Sequence, residues 1–271
     1  MKTRVLPGFH LSLGYTLAYL TALAFVPMFA LFHKASSLSG EKFIAAVWTE
    51  RAQAAYLLTF GASAIAAAIN IVLGLLVAWV LVRYSFPGKR LVDAIIDLPF
   101  ALPTAVAGLV YSSLYVENGW LGQYLVPLGI EGAYSRLGIV LVLVFVGLPF
   151  VVRTVQPVLE SLDADIEEAA HLLGATRGQT FRRVIFPALR PALITGFALA
   201  FARSLGEYGS VVFISGNMPF RTEIAPVLIV ARLEEFAYSE ATAVAVVLLT
   251  MSFAMLVLIN LLERWSKRHA D

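Results

Sequence analysis

The longest stretches without a charged residue constrain the fold of this chain more than any other feature. Residues 11–32, 54–82 and 241–262 contain no Asp, Glu, Lys or Arg, and each run exceeds the roughly 20 residues with which an α-helix crosses a bilayer. The whole chain is only 14% charged, whereas soluble domains contain about 25% charged residues. Because backbone groups in lipid must pair within the chain, the sequence predicts an all-α integral membrane protein embedded in a lipid bilayer.

Three further apolar runs complete six predicted spans within a single domain, residues 1–271. They cover residues 98–116, 137–152 and 192–215. The first of these runs begins with two prolines, Pro99 and Pro103, and Thr104 follows them. Proline lacks the N–H that a helix needs, and broken backbone at membrane depth is tolerated where it is buried in protein or lines a cavity. Pro99, Pro103 and Thr104 therefore mark either a break that lines a translocation pathway or a simple helix start.

Lysine and arginine are distributed unequally between the segments that connect the spans. Thirteen of the 20 lie in the two tails and in residues 83–93 and 153–190, whereas six lie in the three opposite loops. Positive charge close to the spans is retained on the cytoplasmic side. The bias predicts a multi-pass topology in which both termini and residues 153–190 are cytoplasmic.

Residues 163–191 form a polar segment between the fourth and fifth predicted spans. Asp165 and Glu168 have the spacing of a capping box, in which the two side chains satisfy N–H groups at the start of a helix. Gly174 lies where this helix should end, because glycine adopts the left-handed conformation of a helix cap without steric cost.

A second helix is predicted directly after this glycine. Thr176 and Gln179 repeat the capping-box spacing, and we expect Pro187 and Pro191 to bound the helix that they open. The sequence therefore predicts a cytoplasmic helix–Gly–helix elbow over residues 163–191.

This elbow resembles the EAA loop of ABC-importer permeases. The family pattern is Glu-Ala-Ala, three residues, Gly, nine residues and then Ile-x-Leu-Pro. Here Val184 replaces the Ile and Phe186 replaces the Leu. The resemblance implies that the elbow is the coupling helix that docks on the ATP-hydrolysing subunit. The residues that match the family pattern are Glu168, Ala169, Ala170, Gly174 and Pro187.

Three other stretches resemble the sulfate/molybdate branch of these permeases, and most of all the T-type permease subunits of sulfate/thiosulfate importers. They are residues 97–108, 149–159 and 203–209, with residues 4–9 and 216–217 adding to the similarity. The resemblance implies a type I ABC importer permease core that forms half of an anion translocation pathway in the bacterial cytoplasmic (inner) membrane.

The same resemblance implies a set of partners. They are a homologous second permease subunit, so that the permease core is a heterodimer, two ATP-binding subunits and an extracytoplasmic sulfate-binding protein. ATP and Mg then belong to the ATPase subunits, and we expect this chain to bind no cofactor.

Arg203 and Glu207 are the ionisable residues that lie well inside a predicted span. A charge at the bilayer centre costs about 2.5–3.5 kcal/mol on insertion scales, so it should face a partner or a wet cavity. The i,i+4 spacing places the two side chains on one helix face, where they can pair, and we expect Arg203 near mid-depth. The pair either lines or gates an anion pathway or forms a structural salt bridge.

Motifs and composition exclude several other functions. The chain has no G-x-x-x-x-G-K-[ST] sequence, so we expect a non-catalytic subunit and not an enzyme that hydrolyses ATP. Its four His residues are scattered and Cys is absent, so the sequence predicts no metal site. The net charge of +2 is too small to indicate nucleic-acid binding.

Two alternatives stay open. A molybdate/tungstate importer permease would have the same organisation, because in this class the binding protein sets most of the specificity. A stand-alone secondary anion transporter would need a coupling-ion site, and Arg203 and Glu207 are the residues available to build one. This second alternative leaves the elbow unexplained.

Overall fold

A computed structural model describes the backbone of residues 8–268 and the side chains of residues 8–163 and 165–261. The charged tails that entered the topology prediction, and residues 4–7 of the N-terminal similarity, lie outside the described residues. Every regular element in the described range is helical. The helices are α1 Phe9–Ser36, α2 Gly40–Val47, α3 Glu50–Arg83, α4 Lys89–Ile96, α5 Leu98–Ala101, α6 Thr104–Tyr115, α7 Gly122–Leu125, α8 Arg136–Ser161, α9 Ala164–Leu172, α10 Arg177–Leu205, α11 Val211–Ile214, α12 Ala225–Glu234 and α13 Tyr238–Arg268.

Five helices of the described range are long and apolar enough to cross a membrane: α1, α3, α8, α10 and α13. Two of them contain a π-helical turn, α1 at Thr21–Phe25 and α10 at Phe181–Ile185. The predicted all-α membrane fold is confirmed, whereas the count of six spans stays a prediction.

The third predicted span, residues 98–116, is broken in the structure. Leu102 and Pro103 have extended backbone angles, with ψ of 129° and 130°, because the ring of a proline disfavours the helical conformation of the residue before it. The break separates α5 from α6. At about 1.5 Å per residue the 12 residues of α6 extend about 18 Å, which is shorter than the roughly 30 Å hydrocarbon core.

The bounds of α8 and α10 also differ from the predicted spans. α8 continues past residue 152 to Ser161, although Pro149 and Pro157 lie inside it. α10 ends at Leu205, ten residues before the predicted end at residue 215, and non-helical residues 206–210 separate it from α11. The structure therefore contains a second broken segment, between α10 and α11, that apolar composition does not reveal.

The core consists of α3, α8 and α10, which approach closely because small residues lie at their contacts. A Cβ on Gly74 of α3 would lie 2.6 Å from Val151 Cγ1 of α8, and one on Gly196 of α10 would lie 3.2 Å from Val151 Cα. Small residues at helix contacts allow the van der Waals packing that drives association in lipid. The coupling elbow and both broken segments are attached to this three-helix core.

The remaining helices surround the core. α6 and α11 pack against each other and against α8, around the buried side chains of Ile139, Val142 and Ile214. α12 packs on α3 and α13, and α1 packs on α13 with no buried residue in its apolar window. A two-pronged ion pair fixes the loop before α12 to the start of α3, because Arg51 Nε and Nη2 donate to the two Glu223 oxygens at 2.8 and 2.7 Å.

Candidate functional site

The first helix of the predicted elbow, α9, begins two residues earlier than the capping box predicted. Asp163 is the N-cap residue, with no side-chain cap hydrogen bond, and Asp165 already lies in the first helical turn. The predicted Asp165–Glu168 capping box is therefore wrong. Asp165 and Glu167 instead contribute negative charge to the first turn, where the helix dipole favours it.

Gly174 ends this helix in the way that the sequence predicted. Its φ is +81°, and its N–H donates to the His171 carbonyl at 2.9 Å while the Ala175 N–H donates to the Ala170 carbonyl at 3.0 Å. These two bonds form a Schellman motif, which needs a left-handed residue at the glycine position. The chain therefore reverses sharply at a position that suits glycine.

The second half of the elbow begins as predicted and ends elsewhere. Thr176 and Gln179 form the predicted capping box, with the Thr176 hydroxyl accepting from the Gln179 N–H and the Gln179 amide oxygen accepting from the Thr176 N–H. Pro187 and Pro191, however, do not bound the helix, because α10 runs through both to Leu205. The π-helical turn Phe181–Ile185 precedes Pro187, and such a wider turn accommodates backbone that a regular ladder cannot pair.

The tip of the elbow exposes apolar side chains. Leu172 and Leu173 are 89% and 88% exposed, and Glu168, Ala169 and Gly174 of the family pattern are exposed beside them, whereas Ala170 is partly buried. Pro187 is also exposed, at the base of α10. Adjacent exposed apolar residues with a charged border are typical of a protein contact surface.

One ion pair connects the elbow to the core. Arg83, at the end of α3, pairs with Glu167 of α9, and its guanidinium lies 5.6 Å from the ring of Trp79. Trp79 in turn contacts Phe181 edge-to-face, with ring centroids 5.8 Å apart. A cleft of about 560 Å³ lies between these elements, with Glu168 and His171 in its wall. Movement of α9 therefore acts directly on the end of α3.

The two broken segments of the chain contact each other. A Cβ on Gly209 would collide with the Thr104 hydroxyl oxygen, and one on Gly108 would collide with the Ser210 carbonyl. Thr104 opens α6, directly after the Pro99–Pro103 break. Both predicted pathway segments, residues 99–104 and 203–207, thus lie on one side of the core, and glycines permit their approach.

Arg203 and Glu207 form the ion pair that their spacing predicts. Arg203 Nη1 lies 2.6 Å from Glu207 Oε2, and the Glu207 side chain is only 2% exposed. The other Glu207 oxygen accepts from the N–H and the hydroxyl of Ser210, at 2.9 and 2.8 Å. Arg203 lies in the last turn of α10, not at the middle of a helix as predicted, because α10 ends at Leu205. The carboxylate is fully used, whereas the 34% exposed Arg203 retains further N–H donors.

Arg153 forms a second ionic cluster that the sequence analysis did not predict. Its guanidinium donates to both oxygens of Asp97, at 2.9 and 2.6 Å, and to the Asp93 carboxylate at 2.6 Å. It also donates to the Asp93 carbonyl and to Gln156 Oε1, each at 2.9 Å. The available signal was a charged residue soon after Pro149 in a run that continues as a helix, because such a charge needs a partner.

Similarities to known proteins agree with this arrangement. Residues 70–270 match the family described as binding-protein-dependent transport system inner membrane component. The chain is 52% identical to the sulfate transport system permease protein CysT of Synechocystis sp., covering 94% of this chain and 90% of the relative. It is 47% identical to CysT of Escherichia coli, covering 98% and 96%.

Solved structures have the same fold. A bacterial ABC transporter that imports the acidic polysaccharide alginate contains a chain with a TM-score of 0.74, 18% identity and 94% coverage of both chains. The inward-facing MetNI methionine ABC transporter gives a TM-score of 0.56, with 19% identity over 86% of this chain and all of the other. The chain therefore belongs to the family of binding-protein-dependent transport system inner membrane components, the permeases of ABC importers.

Proposed function

We propose that this chain is a transmembrane permease subunit of an ATP-driven sulfate/thiosulfate importer. One structural observation carries the mechanism: α10 runs unbroken from the Thr176 cap at the elbow to Arg203 at the second broken segment. The substrate class rests on the relatives, which are sulfate transport permeases at 47–52% identity. An exposed elbow, a continuous helix and an ionic site at its far end form the minimum apparatus for coupling ATP hydrolysis to anion passage.

The elbow is the coupling element in this proposal. Leu172 and Leu173 enter a groove on the ATPase subunit, with Glu168 at the rim of the contact. ATP binding closes the ATPase pair, and the closure moves α9 relative to the membrane. Two connections pass the movement into the core: the Arg83–Glu167 ion pair to α3 and the covalent path through Gly174 to α10. ATP and Mg are bound by the ATPase subunits, and this chain contributes no catalytic residue.

The anion passes next to the contact between the two broken segments. Arg203 supplies the N–H donors that a tetrahedral dianion needs, and Glu207 holds the guanidinium in place. The Thr104 hydroxyl lies beside Gly209 and adds a polar group at the entrance of α6. Pro99 and Pro103 keep the backbone open there, because they cannot take part in a regular helix ladder.

Topology and partners follow from the same reading. Both termini and the elbow are cytoplasmic, and residues 117–136 and 216–240 face the outside, where a loaded sulfate-binding protein docks. A homologous second permease subunit supplies the other half of the pathway, and two ATP-binding subunits engage the two elbows. The complex lies in the bacterial inner membrane.

The test is ATP hydrolysis by the complex reconstituted in proteoliposomes, with binding protein that is loaded with sulfate, loaded with molybdate or empty. Stimulation by the sulfate-loaded protein alone is the expected result. Stimulation by molybdate alone would retain the coupling mechanism and refute the substrate. An assembled complex that responds to no loaded protein would refute the coupling role of the elbow and favour a transporter that works without an ATPase.

A further inference from the structure

The Arg153 cluster joins two of the stretches by which the sequence resembles the sulfate/molybdate branch. Asp97 is the first residue of the stretch 97–108, and Arg153 lies in the stretch 149–159. The two residues are 56 positions apart, yet a two-pronged ion pair connects them. Phe100 and Phe150 make a second contact between the same stretches, edge-to-face at 5.2 Å. The proposed mechanism has so far assigned no role to this junction.

The acidic partners of Arg153 lie at the entrance of the Pro99–Pro103 break. Asp97 is the residue that ends α4 and starts α5, two positions before Pro99. Asp93 lies one turn earlier in α4 and contributes its carboxylate and its carbonyl. Because these bonds reach both α4 and the α4–α5 junction, Arg153 controls the direction in which the chain enters the break.

The base of this connection leads directly to the coupling elbow. Arg153 belongs to α8, which ends at Ser161, and α9 begins at Ala164. Displacement of α9 is thus transmitted to α8 through a connection of two residues, Leu162 and Asp163. Two different routes then leave the elbow: α10 to Arg203, and α8 through Arg153 to the Pro99–Pro103 break.

The cluster is not explained by stability alone. The side chains of Arg153, Asp93 and Asp97 are 32%, 41% and 45% exposed, and ion pairs with this much exposure contribute little to stability. What the planar guanidinium does provide is a fixed direction, because its two parallel N–H bonds to one carboxylate allow little rotation. Such a contact suits a mechanical link between two segments.

We propose that Arg153 is a positioning residue that ties the Pro99–Pro103 break to the helix entering the coupling elbow, so that movement of the elbow opens or closes the break. This inference rests on the proposed function, because it takes the elbow to be the element that the ATPase moves. Asp97 is the main anchor, and Asp93 and Gln156 hold the guanidinium from the sides. Loss of the link uncouples ATP hydrolysis from transport without preventing assembly.

The experiment compares Arg153→Gln, Arg153→Lys and Asp97→Asn in the reconstituted complex. Sulfate uptake, ATP hydrolysis and the amount of assembled complex are measured together. Allosteric couplings correspond to factors of about 5–150, so Arg153→Gln should lower the sulfate transported per ATP at least about fivefold. Stimulated hydrolysis and assembly should change less than about twofold. Arg153→Lys, which keeps the charge but not the fork, should lie between wild type and Arg153→Gln.

A matched control is available on α4. Arg90 is exposed and lies three residues before Asp93, so Arg90→Gln removes the same charge from the same region without touching the cluster. An equal fall in the transport ratio for Arg90→Gln, or an unchanged ratio for Arg153→Gln, would overturn the proposal. If Arg153→Gln does not assemble, Asp97→Asn decides, because it changes one oxygen to an amide and keeps the side-chain volume.

A double-variant cycle separates the link from two independent effects. If Arg153 and Asp97 act through one contact, the Arg153→Gln/Asp97→Asn double variant should transport as much per ATP as the worse single variant. Multiplied losses would overturn a shared role. The wild-type complex tests the proposed function itself, because a wild type that molybdate and not sulfate stimulates changes the substrate but leaves the Arg153 comparison valid with molybdate.

Discussion

Gly174 separates backbone strain from steric hindrance at the coupling elbow. Its φ is +81°, and a Cβ added to it would have no atom of this chain within 4 Å. Alanine at this position therefore costs only the left-handed backbone conformation, about 1–2 kcal/mol. A cost of this size lowers the ratio of the tight turn to more open forms by a factor of about 5–30.

Gly174→Ala should reduce sulfate uptake and sulfate-stimulated ATP hydrolysis together, because both require the elbow to keep its shape on the ATPase. The amount of permease in the membrane should not change, since the strain lies outside the core. Gly174→Asn is the matched control, because Asn enters the left-handed region more readily than Ala although its side chain is larger. The expected order of activity is wild type, Asn and then Ala, measured in proteoliposomes at equal amounts of assembled complex.

Two results would refute this reasoning. Wild-type activity of Gly174→Ala would show that the left-handed turn is not required for coupling. Lower activity of the Asn variant than of the Ala variant would show that side-chain volume, and not backbone conformation, decides, and would place an ATPase surface directly against this position.

Three further predictions concern the core and the ionic site. Gly74→Val should lower the thermal unfolding midpoint of the solubilised permease, because overpacking against Val151 costs about 1–3 kcal/mol; Gly61→Val is the control, since a Cβ there meets nothing within 4 Å, and equal midpoints would contradict the packing. Glu207→Ala should destabilise more than Glu207→Gln in the same measurement, because Gln keeps an acceptor for donors whose loss of a partner costs about 1–3 kcal/mol; the reverse order would contradict this. Arg203→Met combined with Glu207→Gln should assemble and lose most sulfate uptake, and normal uptake would remove the pair from the pathway.

Local signals predicted the parts of the elbow whose contacts lie within a few residues. The Thr176–Gln179 capping box and the left-handed Gly174 both depend on neighbours in sequence, so spacing was sufficient to find them. The first cap was misplaced because Asp163 and Asp165 are both cap-forming residues, and spacing to Glu168 alone does not distinguish a helix that starts at one from a helix that starts at the other.

Two other errors have physical causes outside the local sequence. Pro187 and Pro191 were expected to bound a helix, and composition gives no sign that the π-helical turn Phe181–Ile185 precedes them and that the helix continues. The partners of Arg153 lie 56 and 60 positions away, and their approach depends on how α4 and α8 pack. Sequence therefore indicated that a charge needed a partner but not which residue it is.

The π-helical turn near the base of α10 also determines the rotational phase of the whole helix. A turn of this kind accommodates one residue more than a regular α-helical turn, and one residue corresponds to a rotation of about 100° about the helix axis. Deleting a single residue within Phe181–Ile185 would restore a regular ladder and rotate everything after it relative to the Thr176 cap. Arg203 would then face a different neighbour although no residue near it had changed. The length of this short segment thus sets the orientation of a site at the opposite end of the helix.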